Sequence, residues 1–281
     1  MMQMHHFNEN PMSSTIPSLF LHGGPGLSAI GERIVYGQTL PISWWDQPHS
    51  VAAASRPFLA LLDAAGEKAL AVAEGGKVHL IGHSFGAVLA HRLSLRMPER
   101  IASLTLLAPA ADLADVFIRL AAFMTPILED PVPLAQASAR LQSKRRDFAA
   151  AREVMDIIFS APQFLSAYWS TWAKDRQEWY GNLMQSEPVF DPDAFFSIAA
   201  DAWQELGPPA VSAFDGPVNI IYGSADVLVD SATTLPMWQS AFTHVASRTV
   251  RSGHMIQFEC EPEEWWSVAF SDKCTVTAVP S

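Results

Sequence analysis

Residues 77–90 read KVHLIGHSFGAVLA. An apolar run, Val78 to Ile81, breaks off at Gly82-His83-Ser84-Phe85-Gly86, and the small residues Ala87, Val88, Leu89 and Ala90 follow with helical character. This is the pattern of a strand, a sharp turn and a helix, with a serine at the apex. Glycine at two positions before and two after the serine removes the Cβ atoms that would collide as the chain reverses, so the serine can be held in a strained conformation with its hydroxyl projecting outward. Packing alone would be served better by an aliphatic residue there.

Two further pieces stand in the right order along the chain. Leu19-Phe20-Leu21 opens into the glycine loop His22-Gly23-Gly24-Pro25-Gly26. Asn219-Ile220-Ile221-Tyr222-Gly223-Ser224-Ala225-Asp226 is followed later by Ser252-Gly253-His254. With these residues the chain resembles the α/β-hydrolase family, over roughly residues 18–110 and 215–270. The order Ser84, Asp226, His254 matches the nucleophile, acid and base order of that fold. The resemblance implies a serine hydrolase on a mostly parallel sheet.

Bulk composition narrows the alternatives. A chain of 281 residues, 49% of them hydrophobic, can bury one large α/β domain or two small ones. The net charge of −11, with no basic run longer than Lys144-Arg145-Arg146, argues against a nucleic-acid partner. Cys260 and Cys274 form neither a disulfide framework nor a metal-ligand spacing, so both read as ordinary thiols and no metal is expected. The first residues, MMQMHHFNENPMSS, lack the basic start and apolar core of a secretion signal, and no apolar run is long enough to span a membrane. These features predict a flexible tail over 1–17, a cytoplasmic setting, no membrane association, and a monomer or homodimer.

The pattern predicts strands at 18–22, 41–45, 78–82, 101–108, 218–222 and 246–250, with helices at 28–37, 56–73, 86–97, 231–241 and 261–271. This βαβ alternation requires a parallel sheet with helices on both faces. Between residues 111 and 214 no strand candidate occurs. Phe117, Leu120, Met124 and Leu128 share a face; Ser160 and Asp191 suit helix N-caps; Trp172, Arg176 and Trp179 recur at helical spacing; Gly207-Pro208-Pro209 closes the last helix. By resemblance, 111–214 is a helical cap inserted into a core formed by 18–110 and 215–281. The family's usual opening hairpin has no counterpart in the seventeen residues before Ser18, so a reduced sheet of about six strands is expected.

A serine hydroxyl needs a base to take its proton as it attacks a carbonyl, and the base needs a carboxylate to orient it. His254 in its Gly-His loop suits the base. Asp226 lies where the family places the acid; Asp230 and Asp112 are rivals, on a nearby turn and after strand 101–108. An oxyanion requires fixed N–H donors. The amide of Phe85 at the helix start supplies one, and by resemblance the amide of Gly24 supplies the second, with His22 bracing the loop. The glycine loop lacks both the lysine of a P-loop and the spacing of a dinucleotide fingerprint. No cofactor is implied, because an acyl-enzyme route uses only side chains and water.

The loop His22 to Gly26, with Trp45-Asp46-Gln47-Pro48, resembles the proline iminopeptidase group, whose cap carries acids that grip a free amino terminus. Here Glu178, Glu187 and Glu205 are the candidates for that role. The elbow Gly82-His83-Ser84-Phe85-Gly86 is instead more similar to those of esterases, lactonases and C–C bond hydrolases. Aromatic residues at 164, 168, 169, 172, 179, 195, 196 and 203 suit an apolar acyl group, with Trp169, Trp172 and Trp179 as the pocket candidates. The reading is therefore an esterase acting on a small-molecule substrate. An iminopeptidase-like enzyme, a lactonase or C–C bond hydrolase, and a ligand-binding receptor on the same fold remain as alternatives.

Overall fold

The computed structural model describes residues 16–266. The expected tail therefore lies almost wholly outside the described residues, as do Cys274 and the end of the helix anticipated at 261–271. Six strands form one sheet: β1 (Ser18–Leu21), β2 (Ile42–Trp45), β3 (Val78–His83), β4 (Ile101–Leu107), β5 (Val218–Gly223) and β6 (Val245–Val250). They lie in the order β2-β1-β3-β4-β5-β6, and every pairing is parallel. The sheet is thus wholly parallel rather than mostly so.

Alternation along the strands explains the layers. Leu19, Leu21, Leu80, Leu104, Leu106 and Ile220 belong to one apolar cluster, while Phe20, Ile81, Leu107 and Ile221 belong to a second. Helices α2 (Pro57–Ala73), α3 (Phe85–Arg96) and α9 (Ser231–Ala241) bury residues in the first cluster. Tyr36 of α1 (Ile30–Tyr36), Ile256 of α10 (Ile256–Glu259) and Trp265 of α11 (Pro262–Trp265) bury against the second. Both faces of the sheet are covered, as an all-parallel sheet demands.

Between β4 and β5 the chain is helical: α4 (Leu113–Met124), α5 (Val132–Ser143), α6 (Phe148–Ser160), α7 (Lys174–Ser186) and α8 (Pro192–Glu205). Asp112, Asp147 and Asp191 cap α4, α6 and α8 by accepting backbone N–H bonds. Ser160 is not an N-cap; it ends α6, where its hydroxyl donates back to the Ile157 carbonyl. Trp172 precedes α7 and so does not share a helix with Trp179. In both cases the helical spacing is present, but the turn between the helices falls elsewhere.

The crossing of α3 over the sheet is tight. A Cβ on Gly82 would lie 2.7 Å from Ala87 Cα, and one on Gly86 would lie 1.9 Å from the Leu21 carbonyl oxygen. Gly86→Ala should therefore pry α3 from β1 and lower Tm by about 10 °C or more, or abolish soluble expression. Gly66→Ala, in the middle of α2 with its nearest contact at 3.4 Å from Leu93 Cδ2, should be tolerated. Thermal melts of the two variants check the contrast.

Candidate active site

In a parallel sheet the loops at the carboxyl ends of the strands converge on one edge, and a crevice opens where the strand order reverses. Here the reversal falls between β1 and β3. The loop after β1 carries His22, Gly23 and Gly24; the turn after β3 carries Ser84; the loops after β5 and β6 carry Asp226 and His254. Ser84 has φ 51° and ψ −112°, a left-handed backbone that a non-glycine residue rarely adopts. Its N–H donates to the Leu107 carbonyl at 2.8 Å, which anchors the turn to β4.

His254 and Asp226 meet. His254 Nδ1 lies 2.8 Å from Asp226 Oδ2, with the two side chains 2% and 0% exposed. The other Asp226 oxygen, Oδ1, accepts N–H bonds from Leu228 at 2.8 Å and Val229 at 3.1 Å. The carboxylate is therefore held by three donors, which fixes the Nδ1–H tautomer and leaves Nε2 free as an acceptor. Ser84 and His254 line one cavity of about 370 Å³, together with Gly24 and Phe85. The N–H of Phe85, first residue of α3, has no intrahelical partner. Gly24 sits at φ 59°, where a Cβ would also strike Leu27 Cδ1 at 2.8 Å.

The rival acids are engaged elsewhere. Asp112 caps α4 and pairs with Arg145 at 2.7 Å; Asp230 caps α9 and pairs with Arg119 at 3.0 Å. Of the three pocket tryptophans, Trp169 lines the cavity. Trp172 is 46% exposed beneath the Arg251 guanidinium, and Trp179 packs on Tyr180 and Phe258. The cavity takes its aromatic wall instead from Phe117, Phe159, Phe164, Phe190 and Phe195, among others. Glu178, Glu187 and Glu205 are exposed and lie off the cavity, with Glu205 paired to Arg56.

His22 braces the glycine loop, as its sequence context implied, while Gln47, His83, Gln257 and Glu32 had no role assigned from sequence. Gln47, buried behind the glycine loop, donates its side-chain amide to the Gly24 carbonyl at 3.2 Å and its backbone N–H to His22 Nε2 at 3.4 Å. His22 Nδ1 in turn donates to the Gly23 carbonyl at 2.9 Å. His83 Nε2 donates to the His254 carbonyl at 2.9 Å, and the rings lie 5.0 Å apart. Burial depresses the pKa of His22 to about 4 and that of His83 to about 3, so both are neutral braces at neutral pH. Gln257 donates to Glu32 at 3.1 Å and contacts His83 Nδ1 at 3.4 Å. Among the described residues Glu32 is the one carboxylate on the cavity wall. It lies on the short helix α1, and the packing of distant elements over it makes it buried.

The segment between β4 and β5 holds two of these loops. The N–H groups of His254 and Met255 donate to the Tyr168 carbonyl at 3.0 and 3.2 Å. Glu259 accepts from the hydroxyl and N–H of Ser170 and from the Gly253 N–H. On the other side the Asp191 N–H donates to the Gly26 carbonyl at 2.8 Å, beside a Leu27–Phe190 bridge. No group of three or more His, Cys, Asp or Glu that could hold a metal ion occurs among the described residues, and no described helix is long and apolar enough to cross a membrane. Cys260 is a buried free thiol whose pKa burial raises to about 12.

A model of the alpha/beta hydrolase family matches residues 16–267. No curated protein sequence matches the chain. Among solved structures, an esterase from Thermogutta terrifontis is similar at TM-score 0.58 and 15% identity, covering 91% of each chain. A proline iminopeptidase-related protein from Thermus thermophilus is similar at TM-score 0.59 and 18% identity, covering 90% of this chain and 86% of that one. The proline iminopeptidase of Mycobacterium smegmatis gives 0.56 and 17%, covering 93% and 90%. At such identities the likeness is one of fold.

Burial raises the Glu32 pKa from 4.5 to about 7, against smaller opposing contributions from its own backbone, Gln257 and Arg33. A folded-state carboxyl with a raised pKa holds its proton more tightly than the unfolded chain does. Its stability contribution is complete below pH 4.5 and is lost as the pH rises through about 7. Glu32→Gln removes that loss. The variant should be more stable than the parent at pH 8 by on the order of 3 kcal/mol, and the gap should close toward pH 4.5. Denaturant titrations at both pH values measure it.

Proposed function

The chain belongs to the alpha/beta hydrolase family, and on that premise we propose that it is a serine hydrolase cleaving a carboxylic ester with an apolar acyl group. The observation that carries this reading is the buried His254–Asp226 hydrogen bond, whose imidazole lines the cavity that also holds the strained Ser84. In this reading the Ser84 oxygen attacks the carbonyl carbon while His254 Nε2 takes its proton. Asp226 keeps the Nδ1–H pointed at itself and offsets the imidazolium charge. The N–H groups of Gly24 and Phe85 receive the oxyanion. Collapse expels the alcohol, which takes the proton from His254. Water, activated by the same imidazole, then releases the acid from Ser84.

Residues 111–214 act as the cap in this proposal, supplying apolar walls for the acyl group. The wall residues Leu113, Val116, Phe117, Phe159 and Phe164 support it. The aminopeptidase alternative loses the acids first assigned to it, since Glu178, Glu187 and Glu205 lie off the cavity. The solved structures of similar fold include both esterases and iminopeptidases, so the fold does not choose between them.

Ser84→Ala should lower kcat on p-nitrophenyl esters of apolar acids by about 10⁴-fold or more with little change in Tm. A fluorophosphonate should label Ser84 in the intact protein. Labelling at another residue, or proline naphthylamide turnover far above that of any ester, would overturn the assignment or the choice of bond respectively.

Asp226→Asn should cost about 10⁴-fold in kcat, because the wrong histidine tautomer is then favoured. Asp112→Asn and Asp230→Asn alter helix caps and surface ion pairs, so they should cost about 1 kcal/mol of stability or less and leave kcat within about 10-fold of the parent. Steady-state kinetics of the three variants separates these outcomes.

A further inference from the structure

Besides Ser84 and the histidines, the cavity lining carries the polar side chains Ser28, Glu32 and Gln257, the last two hydrogen-bonded to each other. Those three polar side chains are each more than nine-tenths buried. Their hydrogen bonding is incomplete in a directed way. Gln257 spends its amide N–H groups on Glu32 at 3.1 Å and on His83 Nδ1 at 3.4 Å, and this leaves its carbonyl oxygen Oε1 without a donor. With Glu32 ionised, exchanging the amide's O and N would set oxygen against two acceptors, so the orphan is then an acceptor. The Ser28 hydroxyl is likewise unpartnered. The cavity lining contains no lysine or arginine among the described residues, so Glu32 has no cation facing it from within.

From these unpartnered polar atoms and a buried carboxylate with no cation in the lining, we propose that the hydrogen-bonded Glu32–Gln257 pair on the cavity wall, with Ser28 in the same lining, binds an ammonium group of the substrate. The inference rests on the ester-hydrolase reading of the same cavity and adds to it: the substrate joins an apolar body to a primary amine. An ammonium ion offers three N–H donors and the one charge that matches Glu32, whereas a hydroxyl offers a single donor and no charge. Buried carboxylates are costly without a cation, and a cationic ligand removes that cost. The groups bearing on Glu32 from the surrounding elements are few. Arg33 is already paired with Asp46 at 2.7 Å outside the cavity; Gln257 and His83 are neutral; and Tyr36 and Tyr180 stay protonated because burial raises both phenols. His254 also lines the cavity.

Calorimetric titration of the whole protein with 4-phenylbutylamine and its neutral counterpart 4-phenylbutanol tests the proposal without requiring turnover. At pH 8 the amine should bind at least about 10-fold more tightly than the alcohol, and this advantage should shrink toward pH 6 as Glu32 takes up its proton. Glu32→Gln should erase the amine's advantage at pH 8 while leaving alcohol affinity within about 3-fold. An amine that binds no better than the alcohol, or fails to bind, overturns the proposal. So does an advantage that survives in Glu32→Gln, which would place the amine away from Glu32. If that variant does not fold, the parent's amine-to-alcohol ratio at the two pH values decides. Because binding is read directly, loss of ester hydrolysis would refute the proposed reaction while leaving this result standing, and the reverse holds too.

Discussion

The close approach of α3 to the sheet is the constraint on which the rest of the site depends. Leu21 pairs with Gly82, and the Leu21 carbonyl oxygen sits where a Cβ of Gly86 would be. The helix can lie that near only if Gly82 and Gly86, two residues to either side of Ser84, lack side chains. Its nearness forces the reversal at Ser84 into the left-handed region, and the Ser84 N–H bond to Leu107 keeps it there. The backbone strain, on the order of 1–3 kcal/mol, is sustained because the surrounding strands over-determine the turn. Alternative positions for the serine would require the central strands to separate.

A second consequence follows from which loops bear on that turn. The helical segment after β4 holds the His254 loop through the Tyr168 carbonyl and through Ser170 with Glu259, and it holds the glycine loop through Asp191. The site and the segment above it are therefore one hydrogen-bonded unit. A displacement of the segment would move the imidazole and the Gly24 amide together. The positioning of the cavity's polar groups thus depends on the same few backbone bonds.

Burial also sets the charge state of the site's supports. His22 and His83 are too deeply enclosed to take a proton near neutrality, so each can serve as a donor at one nitrogen and an acceptor at the other without titrating. The same enclosure acts on Glu32 in the opposite chemical sense, holding its proton to higher pH. Neutral His22 and His83 thus line the cavity with the one carboxyl found on its wall among the described residues.

How much of this was legible in the sequence differs by level. The inner strands β1, β3, β4 and β5 follow from short apolar runs bounded by glycine, proline and polar residues, because a strand buried on both faces leaves little other composition open to it, while the edge strands β2 and β6 are only partly buried. The elbow was legible because its steric demand falls on residues at fixed spacing, Gly82 and Gly86 about Ser84. That Asp226, rather than Asp112 or Asp230, meets His254 was suggested by its place after β5, but the sequence kept all three open; the choice is made by the β5–β6 register and by the Arg145 and Arg119 partners that occupy the other two. The pocket was least legible. Helical spacing proposed Trp172 and Trp179, yet the start of α7 at Lys174 and its packing place one on the surface and the other against Phe258. Glu32, His83 and Gln257 come together from positions far apart in the chain, and no local pattern encodes such contacts. Periodicity and steric spacing are properties of neighbours along the chain, whereas burial of a polar group is decided only when distant elements close over it.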